Sequence, residues 1–411
     1  MARTPVHEDF DAEIILTPLG GEATEAHALF KLAYAVGPGQ CALAEAEPLL
    51  HDLRDPELER PKVGGSDFWL FKPYTDLVVQ GTAYSPQAKP IERLTVRVQM
   101  GAVAKEVTVW GPRRITWAGG RPIIGQPEPF STMPMTWAQA YGGIDWRVSV
   151  PGAEQRTFTE IPVMALRAQF DHPGMYPRNP FGMGYLVHDG EVPEMFAPCL
   201  EDPADPLTAD RLITRDPAAW WRQPLPWCLD WTSPIMFPRA CWFAPDVDPW
   251  FPAPDDRVLP EVRRGFVSED FRLTRCPGGT VDARFFQGAS HGLVVHRPQA
   301  GHVLSIAAMH PEFSLLEVPL PATERRIYFE VDGQRTVQPA RLHHIVCRPA
   351  EQVMTMVFAG TVSLPRPFIP GVHKHIPVRA SLDGEMPVAY QPPVPVRERV
   401  AELQAGAERK S

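Results

Sequence analysis

Proline is the feature that most constrains this chain, because 48 of its 411 residues are proline, whereas globular proteins hold about 5%. Proline lacks an N–H and fixes φ, so this density interrupts long helices and central strands. Apolar residues make up 44% and charged residues 22%, as in folded globular proteins. We therefore expect a mostly β protein of short strands and ordered loops, with few short helices, rather than a helical bundle.

Period-two alternation predicts strands in the first third of the chain. Every second residue of 94–100 is apolar, and the same alternation returns in 105–110 after a short connection. Two such runs predict a hairpin with one buried and one exposed face. Residues 76–80 form a short apolar run, typical of a strand buried on both faces. A helix is predicted over 135–141, which two glycines follow.

The middle of the chain combines proline with tryptophan. Residues 172–260 hold 17 prolines in 89 residues and six of the eleven tryptophans. Each tryptophan ring has roughly 150–250 Å² of surface to bury, so we expect an ordered crossover against the β core rather than a disordered linker. Aromatic rings are also favoured anchors at protein interfaces. The candidate partner-binding residues are Trp220, Trp221, Trp231, Trp250 and Phe251.

Strand patterns return in the last third, where Asp332-Gly333 is the kind of pair that tight hairpins need. The predicted strands there are 293–296, 303–307, 327–331 and 353–358. We expect two antiparallel, sandwich-like β domains joined by the Pro/Trp-rich crossover and followed by a tail. The expected boundaries are 1–190 for the N-terminal domain, 191–275 for the crossover, 276–380 for the C-terminal domain and 381–411 for the tail.

Charge and motif content narrow the function classes. The net charge is −9 and no basic block occurs, which argues against nucleic acid and anionic membranes as partners. No 18-residue apolar run predicts a membrane span, and the acidic N-terminus lacks the pattern of an export signal, so we expect a cytoplasmic protein. The six cysteines are widely spaced, which favours reduced thiols over a zinc site. Neither nucleotide-binding glycine motif occurs, so no cofactor is predicted.

Two motifs support alternatives. Residues 288–292 read G-A-S-H-G and match the G-x-S-x-G nucleophile elbow around Ser290, but a β-branched run follows where the elbow needs a helix. A hydrolase that uses Ser290 and the late histidines stays an alternative to a glycine turn. His373 and His375 could be paired metal ligands, yet a site needs three or four ligands, so no metal is predicted. A carbohydrate- or peptide-binding β protein with exposed tryptophans is the third possibility.

Several short motifs occur in one order along the chain. They are K-P-Y-T-D-L at 72–77, G-T-A-Y at 81–84, M-P-M-T-W-A-Q-A-Y-G-G at 133–143 and N-P-F-G-M-G-Y at 179–185. In order and spacing they resemble a bacterial family of adaptor chaperones for type VI secretion effectors. The resemblance extends over most of residues 10–365. Met135 stands where that family usually has leucine, and Met183 where it often has arginine.

The resemblance implies a non-enzymatic adaptor. Such a protein binds a type VI effector, usually through the effector's PAAR-like domain, and helps to load it onto the VgrG spike. It supplies no catalytic residue and no cofactor. The motif residues have turn and packing chemistry, so we interpret them as maintaining the fold, and Asp76 as an acceptor for nearby backbone amides. These residues are Lys72, Pro73, Asp76, Pro134, Gly142, Gly143, Asn179, Pro180, Gly182 and Gly184.

Overall fold

The structure is a computed structural model that describes residues 5–18, 23–50, 66–70, 72–148, 174–188, 195–232, 236, 259–266, 287–367 and 377–391. The first strands are β1 Asp11–Pro18, β2 Thr24–Gly37, β3 Gln40–Leu43, β4 Thr75–Val79, β5 Thr82–Tyr84, β6 Arg93–Met100, β7 Val103–Trp110, β8 Arg113–Ala118, β9 Arg121–Ile124, β10 Thr132–Pro134, β11 Tyr141–Gly142 and β12 Met183–Gly184. The later strands are β13 Phe196–Ala197, β14 Leu200–Glu201, β15 Val294–Val295, β16 Val303–Ala307, β17 Leu315–Pro319, β18 Arg326–Val331, β19 Gln334–Pro339, β20 Arg341–Arg348, β21 Val353–Ser363, β22 Val378–Leu382 and β23 Met386–Ala389.

Three larger sheets carry most of these strands. Sheet I has seven strands in the order β1-β2-β21-β20-β4-β15, with β3 also paired to β2. Sheet II has the order β14-β7-β6-β16-β17, and sheet III the order β19-β18-β22-β23. Apolar side chains of all three sheets join one buried cluster, which includes Phe30 and Phe358 of sheet I, Val98 of sheet II and Phe329 of sheet III. The mostly β, antiparallel fold class is confirmed.

Strand pairing does not follow the predicted domain boundaries. In sheet I, β4 lies beside β20 in parallel, with Asp76 in register with His344. In sheet II, β6 pairs with β16, and Val98 lies opposite Ile306. Both sheets therefore contain strands from the predicted N-terminal and C-terminal domains, whose segments are interleaved instead of forming separate sheets. The crossover also contributes a strand, because β14 pairs with β7.

The local strand predictions hold well. β6 and β7 form the predicted hairpin and pair from Arg93↔Trp110 to Met100↔Val103. β4 is buried at all five positions, as its apolar run predicted. Asp332 and Gly333 both have positive φ, at 50° and 80°, which is the two-residue turn that matches the twist of a hairpin.

The helix predicted over 135–141 is wrong. Only Trp137–Gln139 forms a 3-10 turn, and the chain then enters β11, which pairs in parallel with β12. Asp216 does cap a helical turn as predicted, since its side chain accepts a hydrogen bond from the Ala218 N–H at 2.9 Å. The described helices are α1 Pro260–Arg263 and the 3-10 helices Pro86–Ala88, Trp137–Gln139, Ala209–Arg211, Pro217–Arg222 and Pro349–Glu351. None of the helices in the described ranges is long and apolar enough to cross a membrane.

Candidate functional site

The motif residues Lys72 and Asp76 form a fully buried ion pair. Lys72 precedes β4 and Asp76 lies within it, and the Lys72 Nζ is 2.6 Å from the Asp76 Oδ2. Asp76 also accepts hydrogen bonds from the Gln287 Nε2 at 2.6 Å and from the Gly288 backbone N–H at 2.8 Å. The predicted bonds to nearby backbone amides are therefore replaced by bonds to a loop more than 200 residues away. This carboxylate fixes the loop that carries the G-A-S-H-G motif.

The crossover supplies the other wall of this pair. The Lys72 Nζ lies 4.6 Å from the ring centroid of Trp231, a cation–π contact. The Trp231 carbonyl accepts a hydrogen bond from the Trp137 Nε1 at 2.5 Å, and the edge of its ring meets His344 at a centroid distance of 5.1 Å. Trp231 therefore connects β4, the Trp137 turn and β20. Its role is to hold the crossover against sheet I.

A second buried lysine repeats this arrangement 33 residues later. The Lys105 Nζ, on β7, donates to the Ser290 Oγ and to the His291 carbonyl, both at 2.7 Å. It also lies 3.7 Å from the ring centroid of Trp227. Burial lowers the pKa of Lys105 from its ordinary value of 10.5 to about 7. Both buried lysines thus contact one tryptophan of the crossover and the 287–292 loop.

The geometry around Ser290 bears on the hydrolase alternative. A serine beside a lysine of lowered pKa is one arrangement of a nucleophile and its base. However, the Ser290 side chain is 0% exposed, and the chain continues into β15, not into the helix that a nucleophile elbow requires. In this conformation the hydroxyl is inaccessible to a substrate and completes the hydrogen bonding of Lys105.

The glycine motifs meet where β11 and β12 pair. The Asn179 Nδ2 donates to the Trp137 carbonyl at 2.8 Å and to the Tyr141 carbonyl at 3.1 Å. A Cβ on Gly142 would lie 2.0 Å from the Asn179 carbonyl oxygen, and one on Gly182 would lie 2.4 Å from a backbone oxygen. These glycines are required for close approach of two chain segments, not for ending a helix as we expected.

The remaining motif residues take part in the same packing. Pro134 ends β10 and lies opposite Thr82 of β5, so the M-P and G-T-A-Y motifs pair with each other. Gly143 donates its backbone N–H to the Asn179 carbonyl at 2.9 Å, and Gly184 lies in β12 opposite Gly142. Lys72, Asp76 and Asn179 are buried. The interpretation of the motifs as fold-maintaining agrees with these contacts.

One buried ion pair escaped the sequence analysis. Arg178 donates from Nε to the Glu261 Oε1 at 2.5 Å and from Nη2 to the Oε2 at 2.8 Å. Its guanidinium lies 4.9 Å from the ring centroid of Trp220 and donates to the Tyr176 hydroxyl at 3.1 Å. Arg178 directly precedes the N-P-F-G motif, but Glu261 lies in α1 with no recognisable motif around it. The sequence therefore offered no way to identify its partner.

The predicted partner-binding tryptophans are mostly interior. Trp220 is 1% exposed and Trp231 is 2% exposed, so the prediction that these two rings anchor a partner is wrong for the folded chain. Their surface is taken up by the ion pairs that they cover. Trp221 is half-buried, and the Arg222 guanidinium lies 4.9 Å from its ring centroid. Trp250 and Phe251 lie outside the described residues.

The late histidines do not assemble into a metal site within the described ranges. His343 and His344 are both buried on β20, at a β-bulge, and the His344 Nε2 is 2.7 Å from the Asp67 Oδ1. Asp67 in turn pairs with Lys31 at 3.1 Å. The one described cluster of three ligand-type side chains is the exposed group His7, Glu8 and Asp9. His373 and His375 lie outside the described residues.

Buried histidines predict a loss of stability in acid. Burial lowers the pKa of His27 from 6.5 to about 4, and burial lowers that of His343 well below 6.5. The unfolded chain therefore binds protons below pH 6.5 that the folded chain refuses. We expect the free energy of unfolding to fall between pH 6.5 and 4, by about 1.4 kcal/mol per pH unit for each such histidine. Asp230, whose pKa burial raises to about 6, acts in the opposite sense over part of that range.

This pH dependence can be assigned with one variant. His27 makes a hydrogen bond between its Nδ1 and the Thr361 Oγ1 at 2.9 Å, which the amide of His27→Asn can replace without titrating. Urea unfolding at pH 7, 6 and 5 should show a slope in the variant that is smaller by about one proton, or about 1.4 kcal/mol per pH unit. An unchanged slope would mean that His27 already binds its proton in the folded chain.

Comparisons with known proteins give one match. The model of a family described as an uncharacterised protein conserved in bacteria (DUF2169) matches residues 22–359. The matched segment includes every motif on which the resemblance rests, together with both buried lysines. Neither the curated proteins nor the solved structures contain a match.

Proposed function

This chain belongs to the DUF2169 family of proteins conserved in bacteria, and on that premise we propose that it is a non-enzymatic, cytoplasmic adaptor for a type VI secretion effector. It would bind the effector, through a PAAR-like domain, and help to load it onto the VgrG spike. The observation that carries the proposal is the assembly of the ordered motifs into connected buried contacts. Lys72, Asp76, Gly142 and Asn179 maintain one fold across distant segments.

That assembly supports the proposal in a specific way. Motif matches scattered by chance would have no reason to meet, whereas β5 pairs with β10 and β11 pairs with β12, each joining two motifs. The resemblance to effector adaptors therefore rests on residues that act together in folding. Because their side chains are turned inward, the client is expected to contact other parts of the surface.

A deletion strain of the source bacterium tests the proposal. Loss of this chain should abolish secretion of one effector and leave the other effectors and the secretion tube intact, and the wild-type gene should restore secretion. An adaptor that binds only the folded client stabilises it by mass action. Co-expression should therefore raise the amount of that effector recovered in the supernatant after lysis, and the two proteins should elute together in gel filtration.

The same strains separate the adaptor from the hydrolase alternative. Normal secretion of every effector in the deletion strain would contradict the adaptor proposal. The pair of Lys105 and Ser290 at 2.7 Å is the observation that favours a hydrolase. Labelling of Ser290 by a fluorophosphonate in the native protein would support that alternative, because the reagent reacts with activated, accessible serines. Exposed rows of tryptophan, as a carbohydrate binder would need, are absent from the described crossover residues, where Trp220, Trp227 and Trp231 are buried.

A further inference from the structure

Sheet III presents an apolar row on its solvent-facing side. Tyr328 on β18 lies directly opposite Val337 on β19, and these side chains are 41% and 52% exposed. The row continues in register through Ser381 on β22 to Pro387 on β23. The alternate residues of the same strands, such as Phe329, point into the core. The exposed row is therefore a property of one face and not of poor packing.

The outer edge of this sheet is open within the described residues. There, β19 pairs only with β18. In a two-residue hairpin the pair that closes the turn, here Val331 and Gln334, exchanges both backbone hydrogen bonds, and the following pairs alternate. Gln334, Thr336 and Gln338 therefore direct their backbone groups towards β18. The N–H and C=O groups of Arg335 and Val337 are directed away from the sheet.

Arginines flank the apolar row. On the solvent-facing side, Arg335, Glu330 and Arg379 lie in one row across three strands, and Arg326 lies on the other side of Tyr328. The strand positions of this face thus carry three arginines and one glutamate in a chain with a net charge of −9. The Arg335 Nε is 3.4 Å from the Glu330 Oε2. In the β22–β23 turn, the Asp383 carboxylate is paired with Arg325 at 2.6 Å.

We propose that β19 accepts an extended, acidic segment of the client effector as a fifth strand of sheet III. This inference rests on the adaptor function proposed above. Main-chain bonds to Arg335 and Val337 hold the added strand, and its alternate side chains give specificity. The segment places an acidic side chain beside Arg335 and an apolar side chain beside Val337. Tyrosine and arginine, which this face exposes, are the residue types that dominate binding energy at protein interfaces.

Three variants at Val337 test the main-chain and charge components separately. Val337→Pro removes the outward N–H and obstructs strand addition, Val337→Asp repels an acidic segment, and Val337→Lys attracts one. The probe is the tagged effector whose secretion depends on this chain, and the measurement is its Kd for each purified variant. We expect the Pro and Asp variants to bind at least about tenfold more weakly than wild type, and Lys to bind at least about tenfold more tightly than Asp.

Val303→Asp is the matched control, because Val303 is an equally exposed valine on a strand of sheet II. It should leave the Kd unchanged, and all four variants should keep the melting temperature of the wild type. Wild-type affinity in the Pro variant would overturn strand addition, and equal weakening by Asp and Lys would overturn the acidic partner. Either result, with the wild type still binding the effector, leaves the adaptor function standing. Failure of the wild type to bind any effector refutes the adaptor function itself.

Discussion

Replacing Asp76 by asparagine is expected to lower the free energy of unfolding by about 3–5 kcal/mol, because it leaves the buried Lys72 ammonium without its counter-charge. The substitution keeps the size of the side chain and one oxygen acceptor for the Gln287 and Gly288 donors. The loss should therefore report the charge and not a cavity. Urea unfolding at pH 7 measures it.

The double variant Lys72→Met, Asp76→Asn is the control for this interpretation. Methionine retains most of the apolar stem of Lys72 against Trp231 and removes the buried charge. Because an uncompensated charge causes most of the loss, the double variant should be more stable than Asp76→Asn alone. If the two losses simply add, the ion pair is not the reason for the effect, and Asp76 acts mainly through its bonds to the 287–288 loop.

Trp231→Ala is expected to destabilise the fold by about 3–5 kcal/mol, the usual cost of truncating a buried tryptophan. Trp231 is enclosed by Lys72 and His344, and its ring closes the contact between crossover and sheet I. Trp221 is the matched control from the same crossover, because it is half-buried and covered by Arg222. Trp221→Ala should cost about 1 kcal/mol or less. Thermal and urea unfolding of both variants give the comparison.

The same pair of variants checks the roles assigned to the two rings. An unaltered stability of Trp231→Ala together with weaker effector binding would show that this ring anchors a partner, as its composition had suggested, and that its buried position is wrong. Loss of effector binding in Trp221→Ala at unchanged stability would instead place the contact surface on the crossover. That outcome would compete directly with the open edge of sheet III.

Local features of the fold could be predicted because they depend on neighbouring residues. The alternation in β6 and β7 specifies which face is buried, and Asp332-Gly333 adopts the positive φ values that a tight hairpin needs. The run 135–141 failed for a related reason. Its glycines are required by the approach of Asn179, 36 residues beyond Gly143, and no pattern within the run contains that contact.

Long-range pairing could not be predicted in the same way. The parallel contact of β4 with β20 joins Asp76 to His344, and the two strands share no turn that would set their register. The candidate site depended on such contacts throughout. Tryptophan content indicated that the crossover is ordered, but whether a ring such as Trp220 faces a partner or the interior depends on Arg178 and Glu261, which lie in distant segments. Composition carries no information on that choice.

The interleaving of early and late strands in sheet I has a consequence for synthesis of the protein. β4 can complete its pairing only with β20 and β15, so residues 75–79 leave the ribosome more than 200 residues before their neighbours exist. Loop closure of that length makes folding slow relative to chains dominated by local contacts. The β4 edge, which is apolar on both faces, stays uncovered during that interval. Client binding through the finished sheets thus begins only after release of the chain, so the effector and its adaptor must meet as completed proteins.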